Sequence, residues 1–144
     1  MVDHRSGVLS RPLFRALAVW VLIVLAETVH GVLRQVFVVP LTGDLPARQV
    51  GVLVGSAILF AIAWACARWV GARSTAALLG IGLLWVVLIV GFEIALGMAL
   101  GYTRARMLSD YDLTEGGFMG FGLLFMLFAP LLAARARGIT EKGV

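Results

Sequence analysis

The sequence has little charge and almost no cysteine. Of its 144 residues only 14% are charged and 61% are apolar, whereas about a quarter of the residues in a soluble domain are charged. A soluble chain of this length has no core large enough to bury so much apolar surface. We therefore expect that surface to face lipid, which makes the bilayer the main partner of the chain.

The single cysteine, Cys66, excludes an intrachain disulfide and any Cys-x-x-Cys site for a metal or for thiol redox chemistry. It lies in an apolar run, where cysteine usually serves as a small hydrophobic residue. The sequence also lacks a Gly-x-Ser-x-Gly elbow, a His-Glu-x-x-His helix and a phosphate-binding loop. The sequence therefore does not favour an enzyme, and a metal ion is the one cofactor left open.

The chain is basic, with a net charge of +4, but no basic stripe with interleaved aromatic residues is present to follow a phosphate backbone. Nucleic acid is therefore excluded as a partner. The basic residues instead occupy the short segments between apolar runs, where they set the topology of a membrane protein.

The chain does contain four long apolar runs. A helix needs about 20 residues to cross a hydrocarbon core about 30 Å thick. The runs are continuous rather than alternating, which excludes the strands of a β-barrel. We therefore predict one all-α domain over residues 1–144, a four-helix transmembrane bundle with helices at about 14–33, 50–70, 76–100 and 118–134.

The basic residues predict the orientation of this bundle. Eight flank the runs on the side of the chain termini and four lie on the opposite side, and the positive-inside rule places the richer side in the cytoplasm. We therefore expect both termini in the cytoplasm of a bacterium and the bundle in its inner (plasma) membrane. The two sets are Arg5, Arg11, Arg15, Arg68, Arg73, Arg135, Arg137 and Lys142 against Arg34, Arg48, Arg104 and Arg106.

The connections and small residues give weaker predictions. Residues 40–46 contain two prolines and a glycine and predict a rigid turn, residues 102–117 predict a longer loop, and Pro130 predicts a kink or a last-turn feature. Glycine pairs at four-residue spacing allow helices to approach closely, either within one chain or in a homo-oligomer. These pairs are Gly51 with Gly55, Gly97 with Gly101, and Gly116 with Gly120.

Ionisable residues interrupt two of the apolar runs. Glu27, His30 and Arg34 follow one face of the first helix, at offsets of three and seven residues, and Glu93 interrupts the third. In the predicted topology both glutamates lie in the outer half of the bilayer. A charged side chain deep in a membrane costs about 2.5–3.5 kcal/mol, so such residues usually face the bundle interior and have partners.

Three functions are compatible with these residues. The first is transport or ion coupling, in which Glu27 and Glu93 exchange a proton or bind a cation, His30 assists, and Arg34 and Arg104 gate or pair near the outer mouth. The second is an accessory or assembly subunit of a membrane complex, in which the polar residues only fix helix packing. The third is a metal-dependent membrane enzyme, with Glu27, His30 and Glu93 as ligands.

The size and helix count are similar to those of small four-helix bacterial membrane proteins such as fluoride channels and multidrug exporters. The exporters share an essential membrane glutamate in the first helix, which is the place of Glu27 here. The rest of their sequence pattern is absent from this chain, so the resemblance transfers no residue roles and assigns no family.

Overall fold

A computed structural model describes the backbone of residues 4–141 and the side chains of residues 10–141. Every regular element in this range is helical. The elements are α1 (His4–Leu33), a π-helical turn (Arg34–Val38), α2 (Val39–Thr42), α3 (Asp44–Val70), α4 (Thr75–Ala99), α5 (Arg104–Ser109), a 3-10 turn (Leu113–Glu115) and α6 (Met119–Ala136).

Four helical segments are long and apolar enough to span a membrane, with mean hydropathies of 2.1, 2.3, 2.5 and 1.8. This confirms the predicted all-helical chain with four such helices. Only 17–33% of the most apolar window in each segment is buried within the chain. Most of the apolar surface therefore faces outward. The segments are Ser10–Thr42, Asp44–Val70, Thr75–Ala99 and Met119–Ala136.

The four long helices form a ring in the order α1, α3, α6, α4, and the α1–α4 side has the least contact. The start of α1, the end of α3, the start of α4 and the end of α6 lie at one end, which we call the termini end. The other end, which we call the far end, carries α2, the start of α3, the end of α4, α5 and the start of α6. Both ends of the described range thus lie on the same side.

The connection between the first two long helices is much shorter than the predicted turn over residues 40–46. Helical structure continues through Thr42, and only Gly43 breaks it, with a φ of +84° that favours glycine. Pro46 is tolerated because it lies in the first turn of α3, where its missing N–H has no partner to lose. Pro40 lacks an N–H for the carbonyl of Val36, and the π-helical turn lies at this defect.

The predicted loop over residues 102–117 contains structure of its own. Thr103 caps α5 by accepting a hydrogen bond from the Arg106 N–H at 3.2 Å. Gly116 ends the 3-10 turn at a φ of +79°. Gly101 and Gly116 therefore lie outside the helices, and two of the three predicted glycine pairs form no helix face.

The apolar core fills only the half of the bundle near the termini end. Trp85 is its largest fully buried side chain, and the indole N–H donates to the Ala16 carbonyl at 2.9 Å. Pro130 is buried in this core, and α6 continues for six residues beyond it. At Gly82 the backbones of α4 and α6 touch, because a Cβ there would collide with the carbonyl of Leu127.

Candidate functional site

One face of α1 changes from apolar to polar halfway along the bundle. The apolar residues on it are 0–2% exposed and form part of the core. Three ionisable residues, which we call the polar stripe, continue the same face at helical spacing. The polar stripe therefore takes the place of a hydrophobic core in the far half. The residues in order are Ala16, Val19, Ile23, Glu27, His30 and Arg34.

Glu27 and His30 are paired within the polar stripe. His30 Nδ1 lies 3.2 Å from Glu27 Oε2, and the side chains are 17% and 28% exposed, respectively. Glu27 Oε2 also lies 2.8 Å from the point that a Cβ on Gly55 would occupy. The carboxylate therefore packs directly on the backbone of α3. Its other oxygen, Oε1, is buried and has no hydrogen-bond partner among the described residues.

Arg34 repeats this arrangement nearer the far end. Its Cδ lies 2.9 Å from the position of a Cβ on Gly51, one turn of α3 away from Gly55. Its Nε is buried and has no hydrogen-bond partner among the described residues. The Gly51–Gly55 pair therefore accommodates two ionisable side chains of the first membrane-spanning segment within one chain. Sequence reasoning found both the glycine pair and the stripe but did not connect them.

Glu93 continues the inner face of α4 beyond the apolar core. It follows the buried Ile89 by four residues and the buried Gly82 by eleven, so helical spacing puts all three on one face. Glu93 is nevertheless exposed. Leu96, on the same side of α4 and four residues after the half-buried Phe92, is also 43% exposed. The described chain therefore covers Glu93 and Leu96 only in part.

The incomplete cover of Glu93 follows from the short length of α6. Gly82 faces Leu127 on α6, which runs back toward the termini end. Eleven residues further along α4, Glu93 lies at about the level of residue 116, before α6 begins at Met119. A loop therefore stands where a helix would cover the carboxylate. We call the region of the bundle between the polar stripe and Glu93 the vestibule.

Glu93 forms no hydrogen bond or ion pair with any described side chain. Tyr111 lies near the same carboxylate. Burial, and then the charges of Glu93 and Asp110, raise the pKa of Tyr111 above its usual value.

Four charged residues, which we call the far-end ion-pair cluster, join α5 to the start of α3. Arg48 pairs with Asp44 at 2.9 Å and with Asp110 in a closer contact. Arg106 pairs with Asp110 at 3.2 Å and lies 3.8 Å from Asp44. Arg48 and Arg106 thus pair with aspartates of the far end and not with Glu27 or Glu93. Arg104 itself is exposed and has no ion-pair partner among the described side chains.

The loop containing α5 packs closely on the helix ends around the vestibule. Met107 Sδ lies 2.6 Å from the position of a Cβ on Gly97. Gln49 donates to the Gly116 carbonyl at 3.0 Å. Hydrogen bonds from the Thr114 hydroxyl and N–H, at 2.6 and 2.8 Å, hold the pKa of Asp112 below its usual value.

The geometry gives no support to a metal site. Within residues 10–141, no group of three or more His, Cys, Asp or Glu side chains is placed to hold a metal ion. Glu27 and His30 are adjacent, but Glu93 does not complete a ligand set with them. A small cavity at the termini end also carries no chemistry, since its lining is apolar. That lining is Val19, Ala63, Ala67, Val70, Leu78, Ile81, Trp85 and Pro130.

Comparison of the chain with protein-family models, with curated proteins and with solved structures finds no match.

Proposed function

We propose that the chain is a small transport or ion-coupling protein of the bacterial inner membrane. In this proposal a proton or a small cation enters the vestibule from the far end and exchanges at Glu27, with His30 as its partner and Glu93 as a second carboxylate. The observation that carries the proposal is the polar stripe, which replaces the core of the bundle with ionisable groups. Such groups in a membrane interior usually serve an ion pathway.

The orientation follows from the arginines. The termini end carries more basic residues than the far end, so the positive-inside rule places it in the cytoplasm. The vestibule then faces the outside of the cell. The Arg–Trp contacts at the termini end support an interfacial position, because tryptophan and arginine are common at the membrane–water boundary. Arg15 lies 5.5 Å from the ring centre of Trp69, and Arg137 lies 4.2 Å from that of Trp64.

The residues have distinct roles in this proposal. Glu27 Oε1 is the acceptor for the incoming proton or cation, because it is buried and lacks a partner. His30 orients the carboxylate through its 3.2 Å contact. Arg34 supplies a fixed positive charge between Glu27 and the far end, and Glu93 gives the vestibule a second carboxylate.

The apolar half of the bundle closes the pathway on the other side. Ile23 and Trp85 are 0% and 2% exposed, respectively, and they lie between Glu27 and the termini end. A passage across the whole membrane therefore requires a second conformation in which this core opens. In this proposal the described conformation is the one open to the far end.

Reconstituted liposomes provide the test. An imposed pH gradient, followed with a pH-sensitive dye inside the vesicles, measures proton movement. We expect Glu27→Gln to reduce the rate on the order of 10²-fold, since it removes the exchanging group, and Glu93→Gln to reduce it less. Glu115→Gln is the control, because Glu115 is an exposed loop carboxylate. Equal rates for wild type and Glu27→Gln in proton, sodium and potassium gradients would rule the proposal out.

A second candidate is an accessory subunit of a membrane complex. The fit of Glu27 and Arg34 onto Gly55 and Gly51 favours it, because this is also how a purely structural clamp between α1 and α3 would be built. This candidate predicts a stoichiometric partner that remains bound when the chain is purified from native membranes in mild detergent. Purification as a chain alone, with ion transport intact, would eliminate it.

A further inference from the structure

The end of α3 carries a surface that the proposed function does not use. Trp64 and Trp69 are 43% and 49% exposed, respectively, and lie five residues apart, about 7.5 Å along the helix axis and about 140° around it. Arg68 is exposed and lies between them on the outward face, with no partner among the described residues. Arginines from the two neighbouring helices flank the two tryptophans. They are Arg15 on α1 and Arg137 directly after α6.

The two flanking arginines are held in place. Arg15 lies over the ring of Trp69 and donates from Nη1 to its carbonyl at 2.8 Å. Arg137 lies over the ring of Trp64 and donates to its carbonyl at 3.2 Å. Each of these bonds uses one guanidinium nitrogen and leaves other N–H donors available. The arginines thus combine a fixed position with unused hydrogen-bonding capacity.

No described carboxylate neutralises these arginines, because every ion pair in the described part of the chain lies in the far half. Exposed arginines at the same end add to the positive charge, and Glu141 is the one described acidic residue there. The additional exposed arginines are Arg11, Arg73 and Arg135. A ligand with a phosphate group and an acyl chain matches both the arginines and the exposed tryptophans of the surface.

We infer that this surface, formed by Arg15, Trp64, Arg68, Trp69 and Arg137, binds the headgroup of an anionic phospholipid. The phosphate accepts hydrogen bonds from guanidinium groups of this surface, which suit phosphate oxygens because of their planar arrangement of donors. The acyl chains lie along the exposed apolar side of α3, on the far-end side of the tryptophans. The inference is independent of any ion transport.

The test compares lipids on the purified full-length chain in detergent. Native mass spectrometry counts bound phosphatidylglycerol and phosphatidylcholine at equal concentration, and thermal unfolding measures the stabilisation that each provides. We expect phosphatidylglycerol to bind and stabilise more strongly. Inorganic phosphate at the same concentration should not reproduce the effect, because it lacks the acyl chains. Equal binding of the two lipids, or full competition by inorganic phosphate, would overturn the inference.

Single variants locate the site. Arg68→Gln should lower the affinity for phosphatidylglycerol about fivefold, as expected for one basic residue near an anionic lipid. Arg68 has no protein partner, so this change should leave folding intact. Arg104→Gln removes an equally exposed arginine at the far end and should leave binding unchanged. If Arg104→Gln weakens binding as much as Arg68→Gln, the effect is one of general charge and the site does not exist.

Discussion

Glu27 of α1 occupies the space that a side chain at Gly55 of α3 would need, with Oε2 2.8 Å from the position of the missing Cβ. An ionisable group and a glycine on a different helix thus form one contact. The carboxylate gains a fixed position without gaining a hydrogen bond from α3. A substitution at Gly55 can therefore displace the Glu27 side chain without altering Glu27 itself.

Gly55→Ala is expected to displace the Glu27 carboxylate and weaken its 3.2 Å contact with His30. The atom that must move is the end of a flexible side chain, so the free energy of unfolding should change by less than about 1 kcal/mol. The resonance of the His30 ring, assigned by comparison with a His4 variant, reports the change by NMR. Gly91→Ala is the control, because a Cβ there meets nothing within 4 Å. An unchanged His30 resonance in Gly55→Ala would contradict the described contact.

Gly82→Ala should destabilise the chain strongly. The new methyl group would collide with the backbone carbonyl of Leu127, which cannot move without separating α4 from α6. We expect a loss of about 1–3 kcal/mol, the usual range for overpacking in a well-packed core. Gly80→Ala lies two residues away in open space and should leave stability unchanged or raise it slightly. Unfolding in mixed micelles measures the stability of both variants. Equal stabilities would refute the close approach of α4 and α6 at Gly82.

Asp110→Asn should loosen α5 from the start of α3. The change removes the carboxylate that pairs with both Arg48 and Arg106. Because the cluster is partly exposed, we expect a loss of no more than about 1 kcal/mol, and high salt should reduce the difference from wild type. Hydrogen exchange should become faster in residues 104–115. Glu115→Gln serves as the control, and exchange in Asp110→Asn no faster than in that control would argue against the cluster.

The ionisation of Tyr111 should report the charge on Glu93. Burial and the carboxylates of Glu93 and Asp110 raise the pKa of Tyr111, so Glu93→Gln should lower it. The chain has two tyrosines, and a Tyr102→Phe background isolates Tyr111 in an absorbance titration. If Glu93→Gln leaves the titration unchanged, Glu93 is either uncharged or distant from Tyr111.

The raised pKa also fixes the sign of a pH effect on stability. The folded chain holds the Tyr111 proton more tightly than the unfolded chain, in which the group has its usual pKa of 10.0. The resulting stabilisation is fully present below pH 10 and is lost as the pH rises through the folded pKa. Tyr111→Phe should therefore lose less stability than wild type between neutral and strongly alkaline pH, as measured by thermal unfolding.

The four long helices could be predicted from the sequence because continuous apolar length is a strong constraint in a membrane protein. Their ends were less predictable. The segment around Pro40 and Pro46 predicts a turn by composition, but the π-helical turn accommodates the missing N–H of Pro40, and Pro46 lies in the first turn of α3. Only Gly43 breaks the helix there, and local composition does not distinguish it from the prolines.

The candidate site was predictable in part. Helical spacing alone places Glu27, His30 and Arg34 on one face. The contact of Glu27 with Gly55 depends on how α1 packs against α3, which spacing within either helix does not determine. The roles of Arg48 and Arg106 were also missed, because the far-end ion-pair cluster forms only when α5 folds back onto α3.

The division of the bundle into a polar half and an apolar half has an electrical consequence. A membrane potential falls mainly across the part of a protein that excludes water and mobile charge. In the proposed orientation that part is the core around Ile23 and Trp85, so Glu27 lies close to the external potential. Binding at Glu27 is then nearly independent of voltage. A unit charge that passes the core crosses almost the whole field, equivalent to about 2.3 kcal/mol per 100 mV.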